Sequence, residues 1–357
     1  MTQPLDIIKP AVRALRAYTL SPHRASVKLN QNENPWDAPA EIKEDVLRRF
    51  AARQWSRYPD FVPASLNEQL AKFAGWKADG VIVGNGSNEL IQALLMVAVG
   101  PGKRVLISEP TFALYRQVAT VLSGEVVSVL LTLQLTYDVD ALLSIVKEQQ
   151  PDVTIICSPN NPTGCVIDTA DLRKLLSASR GLVVIDEAYH EFSGQSVVPL
   201  LAEHENLIVL RTFSKAMAFA ALRIGYLLGA PELVVEIRKA VLPYNLNAFS
   251  QIAAEVAIEK YPALLGPTVK AIVSERERLY SELAKIRGLH ALKSHANFMI
   301  VKRDTDSKQI FEELLKRDIL VRDVSGYPML AEYFRFNVGT PEENERLLSA
   351  LHEIHGK

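Results

Sequence analysis

At 357 residues the chain can bury a large core, and its length suggests about two domains with room for a cleft between them. Forty basic against forty-one acidic residues leave a formal net charge of −1, so no global field draws it to nucleic acid or an anionic membrane. Its partners are expected to be small molecules.

The opening Met1-Thr2-Gln3-Pro4-Leu5-Asp6 lacks the basic-then-apolar pattern of a signal peptide. Residues 1–26 read as an arm, 27–245 as a large domain and 246–357 as a smaller one. From about residue 40, short aliphatic runs alternate with segments of helical period, the βαβ pattern of a mostly parallel sheet with helices on both faces. The expected strands are Val81–Val83, Arg104–Ser108, Val126–Leu130, Val153–Cys157, Leu182–Ile185, Leu207–Arg211 and Ile224–Leu228, apolar nearly throughout, as strands covered on both faces must be. Helices are expected between them at Asn88–Val99, Phe112–Leu122, Val139–Gln149, Asp171–Ala178 and Glu232–Leu242. The most apolar of these, Leu90 to Val99, is interrupted by Gln92 and closed by Pro101, too short to span a membrane. Pro243-Tyr244-Asn245 breaks the pattern. Helices near Ser250–Ile258 and Thr268–Ile286 follow, and then a small α/β unit: strand Phe298–Val301, helix Ser307–Lys316, strands Ile319–Arg322 and Tyr333–Asn337, helix Glu342–Ile354. The two cysteines, Cys157 and Cys165, have no companion cluster, which fits neither a disulfide framework nor a zinc site; a reducing cytoplasm and no metal are expected.

Chemistry-bearing residues fall at the carboxyl ends of these strands, the edge where open α/β sheets bind ligands. Ser214-Lys215 alone is a polar turn. Arg223, which can close on a phosphate with two parallel hydrogen bonds, and the hydroxyls of Thr212 and Ser214 change that reading. An amine that attacks an aldehyde must be neutral, and lysine is the side chain whose pKa shifts readily. Asp186, after an apolar strand, either caps the next helix or keeps a pyridine nitrogen protonated. Tyr189 favours the second, since its hydroxyl can reach a ring's phenolic oxygen from the same turn. Asn161, in the tight turn Asn161-Pro162-Thr163-Gly164, can present an amide to that oxygen. Gly84-Asn85-Gly86-Ser87-Asn88-Glu89 joins a strand to a helix and forms an anion site from backbone N–H groups. A lysine amine, a phosphate-holding arginine and a carboxylate for a pyridine nitrogen are together what a pyridoxal phosphate enzyme needs. A competing reading takes Gly84-x-Gly86 with Glu109 as a dinucleotide fingerprint, but Glu89 fills the third glycine position, and Lys215, Asp186 and Asn161 would go unexplained.

With these segments the chain resembles the aspartate aminotransferase-type (fold type I) pyridoxal phosphate enzymes. More narrowly it resembles the histidinol-phosphate aminotransferases over nearly its whole length. Further words that carry the likeness are Leu29-Asn30-Gln31-Asn32-Glu33-Asn34-Pro35, Arg57-Tyr58-Pro59, Pro110-Thr111-Phe112, Leu222-Arg223-Ile224-Gly225, Val321-Arg322-Asp323 and Phe334-Arg335-Phe336-Asn337. The resemblance implies an α/β fold with a mostly parallel central sheet and a smaller C-terminal α/β domain. It implies that Lys215 carries pyridoxal 5'-phosphate and shuttles a proton, that Asp186 meets the ring nitrogen, and that Asn161 and Tyr189 meet the phenolic oxygen. Ser87, Asn88, Thr212, Ser214 and Arg223 would hold the phosphate, with Tyr58 reaching over from a second subunit of a homodimer. Arg335 and Arg322 would grip the substrate's anionic groups, and Asn32 and Tyr18 would line its mouth.

Phe112 stands where the family usually has a tyrosine stacked on the cofactor ring; it can stack but cannot donate a hydrogen bond. Ala220-Ala221 replaces a common Ala-Gly pair, and Asn88 a frequent aspartate. The implied reaction is L-histidinol phosphate plus 2-oxoglutarate giving imidazole acetol phosphate plus L-glutamate, a step of histidine biosynthesis. An aromatic amino acid aminotransferase or a threonine-phosphate decarboxylase would use the same cofactor site. A regulatory protein on this fold would need a DNA-binding module that the arm is too short to hold.

Overall fold

The computed structural model describes residues 4–17, 22–304 and 307–355. After a short pairing strand β1 (Val27–Lys28), the chain forms β2 (Val81–Asn85), β3 (Arg104–Glu109), β4 (Glu125–Leu130), β5 (Val153–Cys157), β6 (Leu182–Asp186), β7 (Leu207–Thr212) and β8 (Ile224–Gly229). These seven make one sheet in the order β2-β8-β7-β6-β5-β3-β4. Only β8 runs against its neighbours, so the sheet is mostly parallel as expected.

The alternation of side chains along each strand splits the core into two layers. Val183, Ile185, Leu207 and Val209 pack on one face with helices Ala40–Ala51, Ala64–Ala74, Thr169–Ala178 and Ala248–Lys260. Val184, Ile208 and Leu210 pack on the other with helices Ser87–Ala98, Leu114–Val121 and Pro231–Arg238. Burying both faces is why these strands read as unbroken apolar runs. The helices Ala40–Ala51 and Ala64–Ala74 lie outside the elements expected from the sequence; each carries several charged or amide side chains and buries a narrow stripe, Ile42 and Val46 in the first.

A second sheet contains β9 (Leu289–Ala291), β10 (Phe298–Arg303), β12 (Arg322–Asp323) and β13 (Tyr333–Asn337), in the order β12-β13-β10-β9 and antiparallel throughout. The expected strand Ile319–Arg322 is divided. Its first half, β11 (Ile319–Leu320), pairs in parallel with β1, and only Arg322 and Asp323 join β13. Val27 and Leu29 consequently pack in the core of this C-terminal unit, among Phe298, Ile319 and Phe336. Conversely, Ile252, Ala253 and Val256 of the helix Ala248–Lys260, which follows the break at residue 245, pack on the large sheet. No helix among the described residues is long and apolar enough to cross a membrane.

Candidate active site

The turns after β2, β5, β6 and β7 and the segment after β3 converge on one cleft, which the chain 30–32 and the C-terminal sheet close from the other side. It gathers Ser87, Asn88, Phe112, Asn161, Asp186, Tyr189, Thr212, Ser214, Lys215, Arg223, Arg322, Arg335 and Asn32. It also contains Tyr115, Cys157, Asn30, Gln31 and Tyr327, none of them among the site residues expected from the sequence. Tyr58 lies elsewhere, exposed at 77% and stacked on Tyr244 at 4.4 Å. Tyr18 lies outside the described residues.

At the cradle end, Thr212 Oγ1 lies 3.0 Å from Ser214 Oγ and accepts from the Ser214 N–H at 3.1 Å. Arg223 donates through Nη1 to Ser214 Oγ at 3.2 Å and to the Ala220 carbonyl at 3.1 Å. Helix Ser87–Ala98 begins at Gly86 with no side chain capping it, so its first N–H groups are turned to the cleft mouth. Two glycines make room for this. A Cβ on Gly86, at φ 79°, would lie 2.6 Å from Arg223 Nη2, and one on Gly225 would lie 2.3 Å from the Ser87 nitrogen. Glu89 is tied back instead, accepting from the Asn85 N–H and from Asn245 Nδ2 at 2.8 Å. Hydroxyls, a guanidinium and open helical N–H groups form a donor set that suits a phosphate.

Asp186 ends β6 and is 3% exposed; its Oδ2 accepts from the Tyr115 hydroxyl at 2.6 Å and its Oδ1 from the Ala188 N–H at 3.0 Å. Burial pushes its pKa up, and these two donors oppose the shift. Tyr189 accepts from Asn32 Nδ2 at 3.0 Å. Asn32, expected at the substrate mouth, is 1% exposed and held at φ 55°, so it acts on Tyr189 from beneath while still edging the cleft. Asn161 Oδ1 accepts from Arg335 Nη1, which leaves the amide nitrogen as its donor. Lys215 Nζ donates to the Gln31 carbonyl at 3.0 Å. Burial, then the positive charge of Arg335, pull its pKa down to about 8; Glu33 opposes them, and Arg223 adds a smaller downward pull.

Arg335 also donates through Nη2 to the Asn30 carbonyl at 3.1 Å and lies over the Phe298 ring at 5.2 Å. Arg322 stands directly across from it in the β12–β13 register. Like charges opposite one another on paired strands are unfavourable, and an anion in the cleft relieves that cost.

The aminotransferase class I and II family model matches residues 24–351. This chain belongs to that family. It is 41% identical over 351 residues to the histidinol-phosphate aminotransferase of Chlorobium phaeovibrioides, covering 98% of this chain and 97% of that one. The histidinol-phosphate aminotransferase of Sinorhizobium meliloti, solved in complex with pyridoxal-5'-phosphate, superposes with a TM-score of 0.87 at 23% identity, covering 97% of each chain. The L-threonine-O-3-phosphate decarboxylase of Porphyromonas gingivalis has the same fold, with a TM-score of 0.80 at 21% identity over 93% of this chain and 100% of that one. Membership in the aminotransferases overturns the dinucleotide reading of Gly84-x-Gly86, because the loop belongs to the cleft that holds Lys215 and Asp186.

Proposed function

We propose that the chain transfers the amino group of L-histidinol phosphate to 2-oxoglutarate, giving imidazole acetol phosphate and L-glutamate, with pyridoxal 5'-phosphate as its cofactor. The observation that carries this is the convergence of Lys215, Asp186 and the Ser214–Arg223 cradle in one cleft, with Arg322 and Arg335 cross-strand partners at its far side. The cradle fits the cofactor's phosphate by its donors, which Gly86 and Gly225 allow to gather by letting Arg223 and β8 approach the helix start closely. When bound, the cofactor supplies an aldehyde and an electron-withdrawing ring.

The protein's residues do the rest. Lys215, whose pKa is drawn down to about 8 so that a useful fraction of its amine is neutral at physiological pH, would hold the cofactor at its aldehyde and move a proton at the substrate's Cα. Asp186 would keep a proton on the ring nitrogen. Tyr189, whose hydroxyl accepts from Asn32 and so has its own proton to give, would donate to the phenolic oxygen, as would the amide of Asn161. Phe112 would offer an aromatic face to the ring. Arg335 and Arg322 bind the phosphate of one substrate and the carboxylates of the other, which lets one cleft serve both halves of the reaction.

The chain acts as a homodimer in which Tyr58 completes the cradle of the second subunit. In support, Trp55, Tyr58, Phe61 and Leu242 are large apolar side chains exposed on one chain taken alone. The two free, buried thiols suit a reducing cytoplasm.

Purified protein is expected to be yellow, and borohydride should bleach it and leave the label on Lys215. Glutamate formation from histidinol phosphate and 2-oxoglutarate supports the reading. Preferred turnover of phenylalanine or tyrosine, or carbon dioxide release from threonine phosphate without an oxo acid, would replace it. Lys215→Ala should abolish turnover in a folded protein.

A further inference from the structure

Beside Asp186 lies a buried group to which the reaction above gives no part. Tyr115 is fully buried, and its hydroxyl donates to Asp186 Oδ2 at 2.6 Å. We infer that Tyr115 is a positioning residue for the cofactor's ring nitrogen, acting through Asp186: it keeps that carboxylate ionised and in a single orientation. This rests on the role proposed for Asp186.

A carboxylate 3% exposed at the end of an apolar strand tends to neutralise by taking up a proton. A neutral Asp186 would lose the charge that holds a proton on a ring nitrogen. A neighbour makes matters worse, since Glu187 adds a like charge. Two hydrogen bonds oppose this, one to each oxygen, from the Ala188 N–H and from Tyr115. Burial raises the Tyr115 phenol's pKa well above the ordinary tyrosine value, so the tyrosine keeps its proton and the direction of donation is settled. A charge-assisted bond of this kind is about twice as strong as a neutral one.

The fold also fixes where the hydroxyl sits. Tyr115 lies on the first turn of helix Leu114–Val121, three residues after Phe112, and the two rings meet edge to face with centroids 5.6 Å apart. One short segment thus brings an aromatic face to the cleft and, beneath it, the donor that orients the carboxylate.

Tyr115→Phe keeps the ring and its packing and removes only the donor. In the full chain this variant is expected to bind pyridoxal 5'-phosphate about tenfold more weakly by equilibrium dialysis, the effect of one hydrogen bond to a charged group. The visible band of the bound cofactor should move toward that of Asp186→Asn enzyme. In an Asp186→Asn background, Tyr115→Phe should change affinity less than about twofold, because the charge it serves is gone. Equal losses in both backgrounds would make Tyr115 a packing residue and overturn the inference, as would unchanged affinity in the native background. An Asp186→Asn enzyme with native affinity and band would instead remove the proposed role of Asp186. If the Phe variant fails to fold, a fluorinated tyrosine at position 115, a stronger donor of nearly the same shape, should tighten cofactor binding; equal or weaker binding overturns the inference.

Discussion

Lys215 sits where a positive charge is disfavoured, hemmed in by apolar packing, Arg335 and Arg223. Its pKa is pulled down from the ordinary 10.5 to about 8, so in cofactor-free protein its reaction with an amine-directed reagent should rise with pH, half-maximal near 8, and level off more than one unit higher. The same shift acts on stability. Between about 8 and 10.5 the unfolded chain binds more protons than the folded one, so unfolding free energy should increase with pH across that window. Lys215→Met should flatten the increase, as measured by urea titrations at several pH values. A second buried charge lies just below the site. Glu187 and Arg211, with side chains 2% and 5% exposed, form an ion pair that also engages Ser196. Removing one partner leaves the other charge buried alone, so Arg211→Met should cost about 3–5 kcal/mol in chemical denaturation, and the Glu187→Gln, Arg211→Met double variant distinctly less. At this scale the sequence pointed to Lys215, Asp186 and Tyr189, which the structure gathers in one cleft, because each lies at or within three residues of the end of an apolar strand. It did not show Tyr115, whose partner is 71 residues away, or the task of Asn32, whose partner is 157 residues away.

Among the elements, the tightest coupling runs between β8 and the start of the helix Ser87–Ala98. A Cβ on Gly225 would meet backbone atoms of Gly86 and Ser87 at 2.6 and 2.3 Å, and backbone cannot swing aside as a side chain can. Gly225→Ala should therefore displace the helix terminus, lower stability by about 1–3 kcal/mol and weaken cofactor retention together. A stability loss with native retention would show that the terminus does not hold the phosphate. The strands of the large sheet were legible because burial on both faces leaves an unbroken apolar signal. The division of Ile319–Arg322 was not, because the run stays apolar through Val321 while its hydrogen-bonding partner changes from β1 to β13. The pairing partner of a strand is set by distant chain, and nothing in a local window records it.

On the scale of the whole molecule, the proposed contribution of Tyr58 in trans makes each cradle a product of two chains. Lys215→Ala and Tyr58→Ala chains, each inactive or impaired alone, should regain activity when refolded together, since one site of each hybrid dimer has both residues. Random mixing gives about a quarter of the native activity. No recovery, with hybrid dimers demonstrated by mass, would place Tyr58 outside the partner's site. The sequence by itself determined the sheet class, the order of the strand-end motifs and the presence at strand ends of a lysine, a carboxylate and a hydroxyl-and-arginine cluster, because these are written in apolar periodicity and in short segments. The tertiary structure alone decided that Arg322 and Arg335 face each other across β12 and β13, that residues 27–29 pack with the C-terminal unit, and that Tyr115 holds Asp186. Strand pairing makes the first of these contacts and the packing of helices and chain onto the sheets the other two, and neither is recorded in a local window of sequence.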